Sequence, residues 1–480
     1  MALKHHLYRS SSPFPKPFSA KCSTTITIIL FLASFIYFFA LLRTYPEEFS
    51  RSEQRRFSGD LRNVQFPWNK LCFGLSPGPE KLKLAVFSKS WPIGASPGGM
   101  ERHASTLYRA LAGRGHEIHV FTAPSDRVPL QDFADGGLHV HFAANNRGSI
   151  NFSLAFEKFL AEGNFDYIHT ESVSLPHWRA KRLPNLAVTW HGIWYEIMHS
   201  KLFQELLWNT DGNSMTKLQE SMPKLIEEIR FFPSYAQHIT ISSSAGEILT
   251  NIYQIPRRNV HVILNGVDDG KFSPDPDAGE RFRRKHGVPA NATLVLGVAG
   301  RLVRDKGHPL LHEAFSTIAK KYPTVFLLVA GSGPWGRRYS ELGPNVRVLG
   351  PLEPEELSEF YNALHVFVNP TLRPQGLDLT LIEAMHCGKT VLTPNFPSIT
   401  GTVVVNEELG FTFSPNLRSF VEALEGAIGD GPEVLQMKGR LCKEYVGSMF
   451  TAAKMASAYE RFFLCMKDSS YCKYPLPTDC

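Results

Sequence analysis

Apolar runs separated by polar, helix-spaced segments fill the first half of the chain. The run "LKLAVFS" (82–88) has the pattern of a buried strand, and a loop rich in Gly and Pro separates it from the helix-spaced segment "MERHASTLYRALAGRGH". Further strands are predicted at "EIHVFT", "LHVHFA" (138–143), "FDYIHT" (165–170), "NLAVTWH" (185–191) and "HITIS" (238–242). Because these strands alternate with helical segments, the pattern predicts a parallel α/β domain.

The same pattern begins again after "VHVILNGVDDGKFSPD". Strands are predicted at "ATLVLGVAG" (292–300), "TVFLLVAG" (324–331), "NVRVLG" (345–350), "LHVFVNP" (364–370) and "TVLTP" (390–394), with a helix from about His308. The fold class is therefore α/β, with two doubly wound, Rossmann-like domains that meet near residue 270. We expect an N-terminal domain over 81–270, a C-terminal domain over 271–447, and a C-terminal helix and tail over 448–480.

A third kind of apolar pattern lies near the start of the chain. Thr24 to Leu42 gives 19 residues without a charge, enough for a transmembrane helix. The competing interpretation is a cleaved signal peptide, but its apolar region is usually shorter and no clear small-x-small cleavage site follows. We expect a cytosolic tail (1–23), an anchor (24–42) and a stem (43–80). Lys and Arg tie at four on each side, so the short tail, which lacks acids, is what favours a type II orientation.

Composition narrows the classes of partner. The chain has 480 residues, 43% of them hydrophobic and 20% charged, which leaves room for two or three domains. The net charge of +6 is scattered, so no nucleic-acid partner is expected. The seven cysteines include no CxxC, and Cys465, Cys472 and Cys480 crowd the tail, which fits a disulfide in an oxidising compartment. No metal site is expected, because nearby histidines at ligand spacing are missing.

Loops that follow predicted strands carry the candidate chemistry, since ligands of open parallel sheets bind beyond the carboxyl ends of strands. Gly98 and Gly99 open a helix whose backbone N–H groups suit a phosphate, although a glycine pair is also common in simple turns. Arg301 and Lys306 follow the first strand of the second domain and suit a diphosphate. A solvated loop explains this pair equally well.

Two further loops have the same position. Gly331 and Gly333, in "AGSGP", bring backbone to a strand end where a base or sugar can approach, and a turn is the alternative. His191, in "TWHGIW", ends an apolar strand and can bond a ligand hydroxyl, or it is a satisfied core histidine.

Taken in order, these stretches resemble a glycosyltransferase of the GT-B fold, family 4, over roughly residues 82–448. The stretches that carry the resemblance are "GGMERHASTLYRALAGRGHEIHVFT", "TWHGIW", "ISSSAGEIL", "ILNGVDDGKF", "GVAGRLVRDKGHPLLHEAF", "LVAGSGP", "VRVLGPLEPEELSEFYNALHVFVNPT" and "QGLDLTLIEAMHCGKTVL". With the apolar N-terminal run, the chain resembles a plant-type, membrane-anchored member. The resemblance implies two domains facing across a cleft, a nucleotide diphosphate sugar as donor substrate, retention of anomeric configuration, no cofactor and no obligatory metal.

The resemblance also implies roles for single residues. Gly99 is assigned to the donor phosphates, Arg301 and Lys306 to the diphosphate, His191 to a sugar hydroxyl and Glu383 to the ribose hydroxyls. The implied catalytic set is His191, Gln375, Arg301 and Lys306. The implied donor-binding set is Gly98, Gly99, Arg301, Lys306, Gly331, Gly333, Gly376, Leu377 and Glu383. A carboxylate such as Glu383, in an otherwise apolar helix, needs a hydrogen-bond partner, and a ribose diol offers two donors.

The loop before Glu383 departs from the family. Gln375 stands where members usually have glutamate; glutamine keeps the length and an acceptor oxygen but loses the charge that supports a developing oxocarbenium ion. Asp378 is a second departure, because an acid there repels phosphate unless it points away. The pair Asp275 and Asp277, in "DPD", has the form of a metal–nucleotide motif of another glycosyltransferase fold, but it lies in a Pro-containing linker and not at a strand end.

Three functions follow as hypotheses. The leading one is a Golgi type II glycosyltransferase that uses a UDP- or GDP-sugar and a glycan, lipid or small-molecule acceptor. The second is the same fold facing the cytosol on the endoplasmic reticulum and acting on a lipid. The third is a catalytically weakened nucleotide-sugar-binding scaffold, marked by Gln375. The sequons at Asn151 and Asn291 permit a lumenal domain. A dinucleotide oxidoreductase is disfavoured because no G-x-G-x-x-G opens either domain.

Overall fold

A computed structural model describes residues 57–74, 80–93, 98–125, 131–175, 177–208, 216–374 and 377–480. Ser58–Cys480 forms one compact unit. The predicted tail and the predicted anchor, Thr24–Leu42, lie outside these residues. Within the described ranges, no helix combines the length and the apolar character that a membrane crossing requires.

The N-terminal sheet has eight strands in the order β3-β4-β2-β1-β5-β6-β7-β8, all parallel to their neighbours except β3, which runs antiparallel to β4. Its strands are β1 (Lys83–Phe87), β2 (Glu117–Thr122), β3 (Phe133–Asp135), β4 (Leu138–Phe142), β5 (Tyr167–Glu171), β6 (Leu186–Trp190), β7 (Gln237–Thr240) and β8 (Val260–Val262). All five residues of β5 and of β6 are buried. Burial on both faces explains the apolar run of β6, whereas β5 buries three polar side chains, His169, Thr170 and Glu171.

The C-terminal sheet has six parallel strands in the order β11-β10-β9-β12-β13-β14. Its strands are β9 (Leu294–Ala299), β10 (Val325–Ala330), β11 (Val346–Gly350), β12 (Val366–Val368), β13 (Thr390–Pro394) and β14 (Gly410–Phe413). Starting from the first strand the order is 3-2-1-4-5-6, the doubly wound arrangement, which confirms the predicted fold class for both halves.

Helices cover the sheets. They are α1 (Gly99–Gly113), α2 (Phe152–Ala161), α3 (His177–Ala180), α4 (Trp194–Trp208), α5 (Thr216–Phe231), α6 (Ser243–Glu247), α7 (Pro276–Lys285), α8 (His308–Lys321), α9 (Gly336–Ser340), α10 (Pro354–Asn362), α11 (Leu379–His386), α12 (Pro397–Thr400), α13 (Leu417–Met449) and α14 (Ala452–Lys467). A π-helical turn, Ile248–Ile252, follows α6. Helix α13 is kinked at Gly431, whose φ of 71° lies outside the helical region.

The last helix, α14, returns to the N-terminal domain. Tyr459 and Thr189 share a hydroxyl–hydroxyl bond of 2.8 Å, and Glu460 accepts a bond of 2.8 Å from Arg114 Nε and lies 2.8 Å from His116 Nε2. Helix α14 therefore completes the domain that begins some 370 residues earlier at β1.

The described part of the predicted stem is packed against the body, so the expectation of a stem over 43–80 is wrong for residues 57–74. Trp68 and Leu61 are fully buried, and Asn69 bonds the backbone of Leu264 and of Met449 at distances of 2.7 to 3.1 Å. Residues 59–60 pair antiparallel with residues 473–474. The physical reason is that the few aromatic and aliphatic side chains of this segment, Leu61 and Trp68 among them, are buried against the body.

Disulfides fix the same region. Cys72 is bonded to Cys480, and Cys465 to Cys472. The tail cysteines that the sequence singled out therefore all take part in disulfides, with Cys72 as the partner that it did not single out. Cys387 and Cys442 are free and buried.

Candidate functional site

The N-terminus of α11 and the loop after β9 meet through one ion pair. Lys306 Nζ donates to Asp378 Oδ2 at 2.8 Å, and Asn369 donates to the same oxygen at 3.2 Å. Burial opposes ionisation of Asp378, but the Lys306 charge and these hydrogen bonds outweigh it and lower the pKa of this carboxyl. Asp378 therefore points at a lysine, which answers the concern that it would repel phosphate.

Glu383, the carboxylate expected at the ribose, is buried and already bonded. Tyr361 donates its hydroxyl to Glu383 Oε2 at 2.8 Å, and Arg102 forms an ion pair with Oε1. Arg102 belongs to the first turns of α1, so this ion pair joins the N-terminal domain to the C-terminal domain. A ribose diol that bonds Glu383 must share this carboxylate with Arg102 or replace it.

Four of the predicted glycines lie within the described residues, and the space around their Cα atoms differs. Gly98 caps α1, and a Cβ there would clash with the carboxylate of Glu101 in the first turn, whereas at Gly99 a Cβ would meet no described atom within 4 Å. At Gly331 (φ +123°) a Cβ would lie 1.8 Å from the Gly300 carbonyl oxygen, and at Gly333 it would lie 2.5 Å from that of Leu302. Close packing of the loops after β9 and β10 is thus enough to explain the second pair.

His191 follows β6 and is held by a carboxylate that the sequence analysis did not single out. His191 Nε2 donates to Glu171 Oε2 at 2.5 Å, and Tyr108 donates its hydroxyl to Glu171 Oε1. Glu171 is fully buried at the end of β5. Because both oxygens of Glu171 accept bonds, His191 has a fixed ring orientation and keeps Nδ1 as its remaining polar atom.

A chain of hydrogen bonds continues from this carboxylate into the domain. His169 Nδ1 lies 2.8 Å from the Tyr108 hydroxyl, its Nε2 lies 2.9 Å from Thr189 Oγ1, and Thr189 is bonded to Tyr459 of α14. Burial lowers the pKa of His169 to about 4, so this ring is neutral at pH 7. Burial opposes ionisation of Glu171, but the rings of His103 and His191 outweigh it and lower its pKa.

His103 is buried beside His191 and near Asn265. Its ring centroid lies 4.6 Å from that of His191, and neither ring nitrogen has a hydrogen-bond partner among the described residues. The amide oxygen of Asn265 is also unpaired within the described ranges, while its Nδ2 donates to the Leu377 carbonyl at 3.4 Å. Burial lowers the pKa of His103 to about 3.

His103, Glu171 and His191 place potential metal-ligand atoms within 4.8 Å of one another. The hydrogen bonds that both Glu171 oxygens accept account for this arrangement without a cation. These side chains are therefore best described as a hydrogen-bonded polar cluster of the cleft.

Two further acids lie under the loop that carries His191. Glu196 and Glu228 are both buried, and the amide of Trp194 donates to Glu228 Oε2 at 2.7 Å. Neither oxygen of Glu196 has a hydrogen-bond partner within the described part of the chain. Burial raises the pKa of Glu196 to about 8 and that of Glu228 to about 7.

A cavity of about 340 Å³ lies between α4 and the loops of the C-terminal domain. Its lining comes from both halves of the chain: His199, Ser200, Leu372, Pro374, Phe396, Ser414, Pro415 and Asn416. Gln375, which directly follows Pro374, and Gly376 lie outside the described residues. The cavity is an opening between the domains, and Pro374 is part of its lining.

The predicted residues therefore form two groups. Gly98, Gly99, His191 and Glu383 are brought together by α1, since Arg102 bonds Glu383 and His103 packs on His191. Lys306 joins the start of α11 through Asp378, while Arg301 is exposed.

Sequence reasoning missed Arg102, His103, Tyr361 and Glu171. One local signal was available, because "ERH" directly follows the glycine pair and Met100, and Glu171 is an acid at the end of a buried strand. The "DPD" pair has a structural role: Asp275 caps α7 by accepting a bond of 2.9 Å from the Ala278 amide. The remaining acid, Asp277, lies in the first turn of the same helix.

Comparison with known families matches the N-terminal and C-terminal domains separately. Residues 97–271 match the model "Glycosyltransferase Family 4", and residues 293–430 match "Glycosyl transferases group 1". Mannosylfructose-phosphate synthase of Agrobacterium fabrum is 31% identical over 354 residues, which cover 65% of this chain and 73% of that protein. The chain belongs to glycosyltransferase family 4.

A human relative of this family 4 glycosyltransferase matches a shorter region. It is a subunit of phosphatidylinositol N-acetylglucosaminyltransferase, 33% identical over 175 residues, which cover 35% of this chain and 33% of that protein. The chain thus spans only about a third of the length of this relative.

Solved structures share the fold of this family 4 glycosyltransferase. Sucrose-phosphate synthase of Thermosynechococcus elongatus has a TM-score of 0.64 at 21% identity, covering 80% of this chain and 100% of that chain. Anabaena HepE in complex with UDP and glucose has a TM-score of 0.58 at 17% identity, covering 80% and 99%. At these identities the likeness supports the GT-B fold.

Proposed function

We propose that this glycosyltransferase transfers a sugar, with retention of configuration, from a nucleotide diphosphate sugar to an acceptor hydroxyl. The observation that carries the proposal is the Arg102–Glu383 ion pair, which brings the N-terminal turns of α1 next to the helix that carries Glu383. A helix N-terminus is suited to phosphate, and a buried carboxylate is suited to a diol. A nucleotide diphosphate sugar contains both groups.

Cations on the C-terminal side complete this assignment. Lys306 lies beside Asp378 at the start of α11, and Arg301 is exposed in the same loop. Two cations near a helix N-terminus suit a diphosphate, and neutralising its charge needs no metal ion. This supports a donor that is bound without an obligatory metal, and a UDP-sugar or a GDP-sugar fits equally.

On the acceptor side, His191 supports contact with a sugar hydroxyl. Glu171 holds one ring nitrogen, so the other is free to bond the substrate. Several relatives are named for transfer to phosphate-bearing polyols, among them the D-inositol 3-phosphate glycosyltransferases. A polyol phosphate or its lipid is therefore the acceptor to test first, beside glycans.

The test is nucleoside diphosphate release by the full-length protein, assayed with UDP- and GDP-sugars against inositol phosphate, phosphatidylinositol and oligosaccharide acceptors. We expect acceptor-dependent release with one donor, and loss of at least about tenfold in Arg301→Ala. The matched control is Arg337→Ala, an arginine on α9 whose side chain is 91% exposed. If the wild type released no more nucleoside diphosphate than an Arg301→Ala, Glu383→Ala double variant, the donor-binding scaffold would be supported instead. Gln375 would then mark the position where the acid was lost.

We further propose that Thr24–Leu42 anchors the protein as a type II membrane protein of the Golgi, with the endoplasmic reticulum as the alternative. The two disulfides support a lumenal body, because they persist in oxidising compartments. Asn291 is exposed and is the sequon to examine, whereas the Asn151 side chain caps α2. A glycan at Asn291 in membranes that resist carbonate washing is the expected result; recovery of the full-length protein in the wash would argue for a cleaved signal.

A further inference from the structure

Three histidines lie close together on β2 and β4, toward the opposite edge of the N-terminal sheet from β6 and His191. His119 lies on β2, and His139 and His141 lie on β4. The register pairs His119 with His139, and the alternation of side chains along β4 puts His141 on the same face. The rings of His119 and His141 are nearly parallel, at 7°, with centroids 5.2 Å apart.

The outer nitrogen of each of two rings faces a carboxylate. His119 Nε2 lies 2.8 Å from Glu117 Oε1, and His141 Nδ1 lies 3.4 Å from Asp132 Oδ2. An ionised carboxylate only accepts hydrogen bonds, so these two nitrogens carry the ring protons. In neutral rings the other two nitrogens then have lone pairs.

Those two inner nitrogens face each other. His119 Nδ1 lies 3.0 Å from His141 Nε2, and Glu162 Oε2 lies 3.5 Å from the same His119 nitrogen. One potential ligand atom from each of His119, His141 and Glu162 lies within 4.8 Å of the others at the end of α2, and the second Glu162 oxygen lies 3.8 Å from His141 Nδ1. Such a group of electron-pair donors is stabilised by a positive charge placed between them.

We propose that His119, His141 and Glu162 bind a divalent transition-metal cation of the zinc class. The ligands are His119 Nδ1, His141 Nε2 and a Glu162 oxygen. Zinc–ligand bonds of about 2.0–2.1 Å in tetrahedral directions separate neighbouring ligand atoms by about 3.3 Å. The distances of 3.0 and 3.5 Å lie on either side of that value.

Glu117 and Asp132 act on the ring nitrogens that point away from the cation. A carboxylate that accepts the second N–H of a metal-bound histidine fixes the ring and strengthens its ligand nitrogen. Lys83 Nζ lies 3.2 Å from Glu117 Oε1, and Lys158 Nζ lies 2.6 Å from Asp132 Oδ2. These two acids therefore already have cationic partners. Glu162 is left to balance the charge of the metal, and its 36% exposed side chain gives the cation a path from solvent.

No zinc site was expected from the sequence, because no histidines lie near the cysteines at ligand spacing. The two histidines of β4 lie 20 and 22 residues from the single histidine of β2, and only the parallel register brings them together. The expected absence of a metal site is therefore replaced by a specific candidate, independent of the proposed glycosyl transfer.

The test is zinc binding by the full-length protein in detergent, stripped with a chelator and dialysed against buffered ZnCl₂, with bound metal measured by elemental analysis. We expect one zinc per chain and a rise in melting temperature. Glu162→Gln and His141→Asn should each weaken zinc binding by at least about tenfold. His312→Asn, on α8, is the control and should bind as the wild type does.

Glu162→Gln protects the test against misfolding, because its partly exposed side chain is replaced by a neutral one of equal size. A variant that keeps the metal-free melting temperature but loses zinc supports the site. Absence of stoichiometric zinc from the wild type, which is expected if the inner nitrogens share a proton instead, overturns it. Equal zinc affinity in wild type and both variants overturns it as well. Nucleotide affinity should be unchanged throughout, so failure of this site and failure of the donor assignment are distinguishable.

Discussion

The C-terminal and N-terminal sides of the cleft, which the proposed function makes the donor side and the acceptor side, differ in how they stabilise acidic side chains. In the C-terminal domain both acids of the candidate site pair with a cation: Asp378 with Lys306, and Glu383 with Arg102 of α1. In the N-terminal domain Glu171 is held by neutral donors and imidazoles, and Glu196 has no hydrogen-bond partner within the described residues. The donor side is built from charge pairs, and the acceptor side from a hydrogen-bonded network.

This difference has a functional meaning for a transferase. Charge pairs can be exchanged for a charged ligand, because a diphosphate can replace Asp378 at Lys306 and a ribose can replace Arg102 at Glu383. A network of neutral donors instead fixes one ring, His191, in place. We expect the donor side to rearrange on binding and the acceptor side to stay preorganised.

The strongest test of the network is Glu171→Ala. Removing this carboxylate leaves His191 and Tyr108 without an acceptor in a buried site, so we expect the free energy of unfolding to fall by about 3–5 kcal/mol. Urea denaturation measures the loss. The control is Glu157→Ala, an exposed acid of α2, for which we expect a change below about 0.5 kcal/mol. Similar losses in both variants would mean that the network contributes little stability.

A second test uses pH. Glu196 and Glu228 have folded-state pKa values of about 8 and about 7, both above the ordinary value of 4.5. The native state therefore binds these protons more tightly than the unfolded state, and their contribution is complete below pH 4.5 and lost as pH rises through 7 to 8. We expect the unfolding free energy to fall by about 2–4 kcal/mol between pH 6 and pH 9, because one pKa unit corresponds to about 1.4 kcal/mol.

Glu196→Gln isolates this effect. Glutamine cannot ionise, so the variant should lose much of the decline in stability between pH 6 and pH 9. The comparison requires chemical denaturation at several pH values in both proteins. An unchanged pH profile in the variant would show that Glu196 is not protonated in the native state.

A smaller effect is expected when a charge pair of the donor side is removed. Lys306→Ala should weaken UDP or GDP binding by about 1.5–3 kcal/mol, the range for hydrogen bonds to charged groups. It should also raise the pKa of Asp378, whose main cation is lost. Calorimetry measures the affinity, and Lys320→Ala, at the far end of α8, is the control. Unchanged nucleotide affinity in Lys306→Ala and in Arg301→Ala would reject the diphosphate assignment.

The smallest expected effect is that of Tyr361→Phe. This change removes one neutral donor to Glu383 while Arg102 remains, so we expect a loss of about 0.5–1.5 kcal/mol in unfolding free energy. Nucleotide should recover part of this loss, since a ribose hydroxyl can donate to the freed oxygen. A thermal melt with and without nucleotide compares the two proteins. A shift with nucleotide no larger than that of the wild type would argue against ribose at Glu383.

The sequence predicted strands and the loops that follow them better than contacts between distant elements, for a physical reason. Strands with a continuous apolar run, such as β9 and β10, were found where expected, and the loop after β9 carries Arg301 and Lys306. A loop that follows a strand is local in sequence, so it can be read from one stretch. Glu171, His103 and Tyr361 form their site contacts only when α1, β5 and α10 come together in the fold.

Two other outcomes show the same limit. Residues 57–74 have no periodicity, yet Trp68 packs into the body because burial of one large side chain needs no regular spacing. Cys72 pairs with a residue at the other end of the chain, which no local pattern can indicate. Gln375 remains a sequence prediction, since it lies outside the described residues.

The Cys72–Cys480 bond also determines how the body responds to being cut. It joins residues 408 positions apart, so the backbone from Cys72 to Cys480 is a closed covalent ring that contains both domains. A single protease cut anywhere in that ring opens it into a linear chain and releases no fragment until the bond is reduced. For the same reason, a cut at the exposed residues 289–291, just before the C-terminal sheet, leaves the two domains held together by one covalent bond.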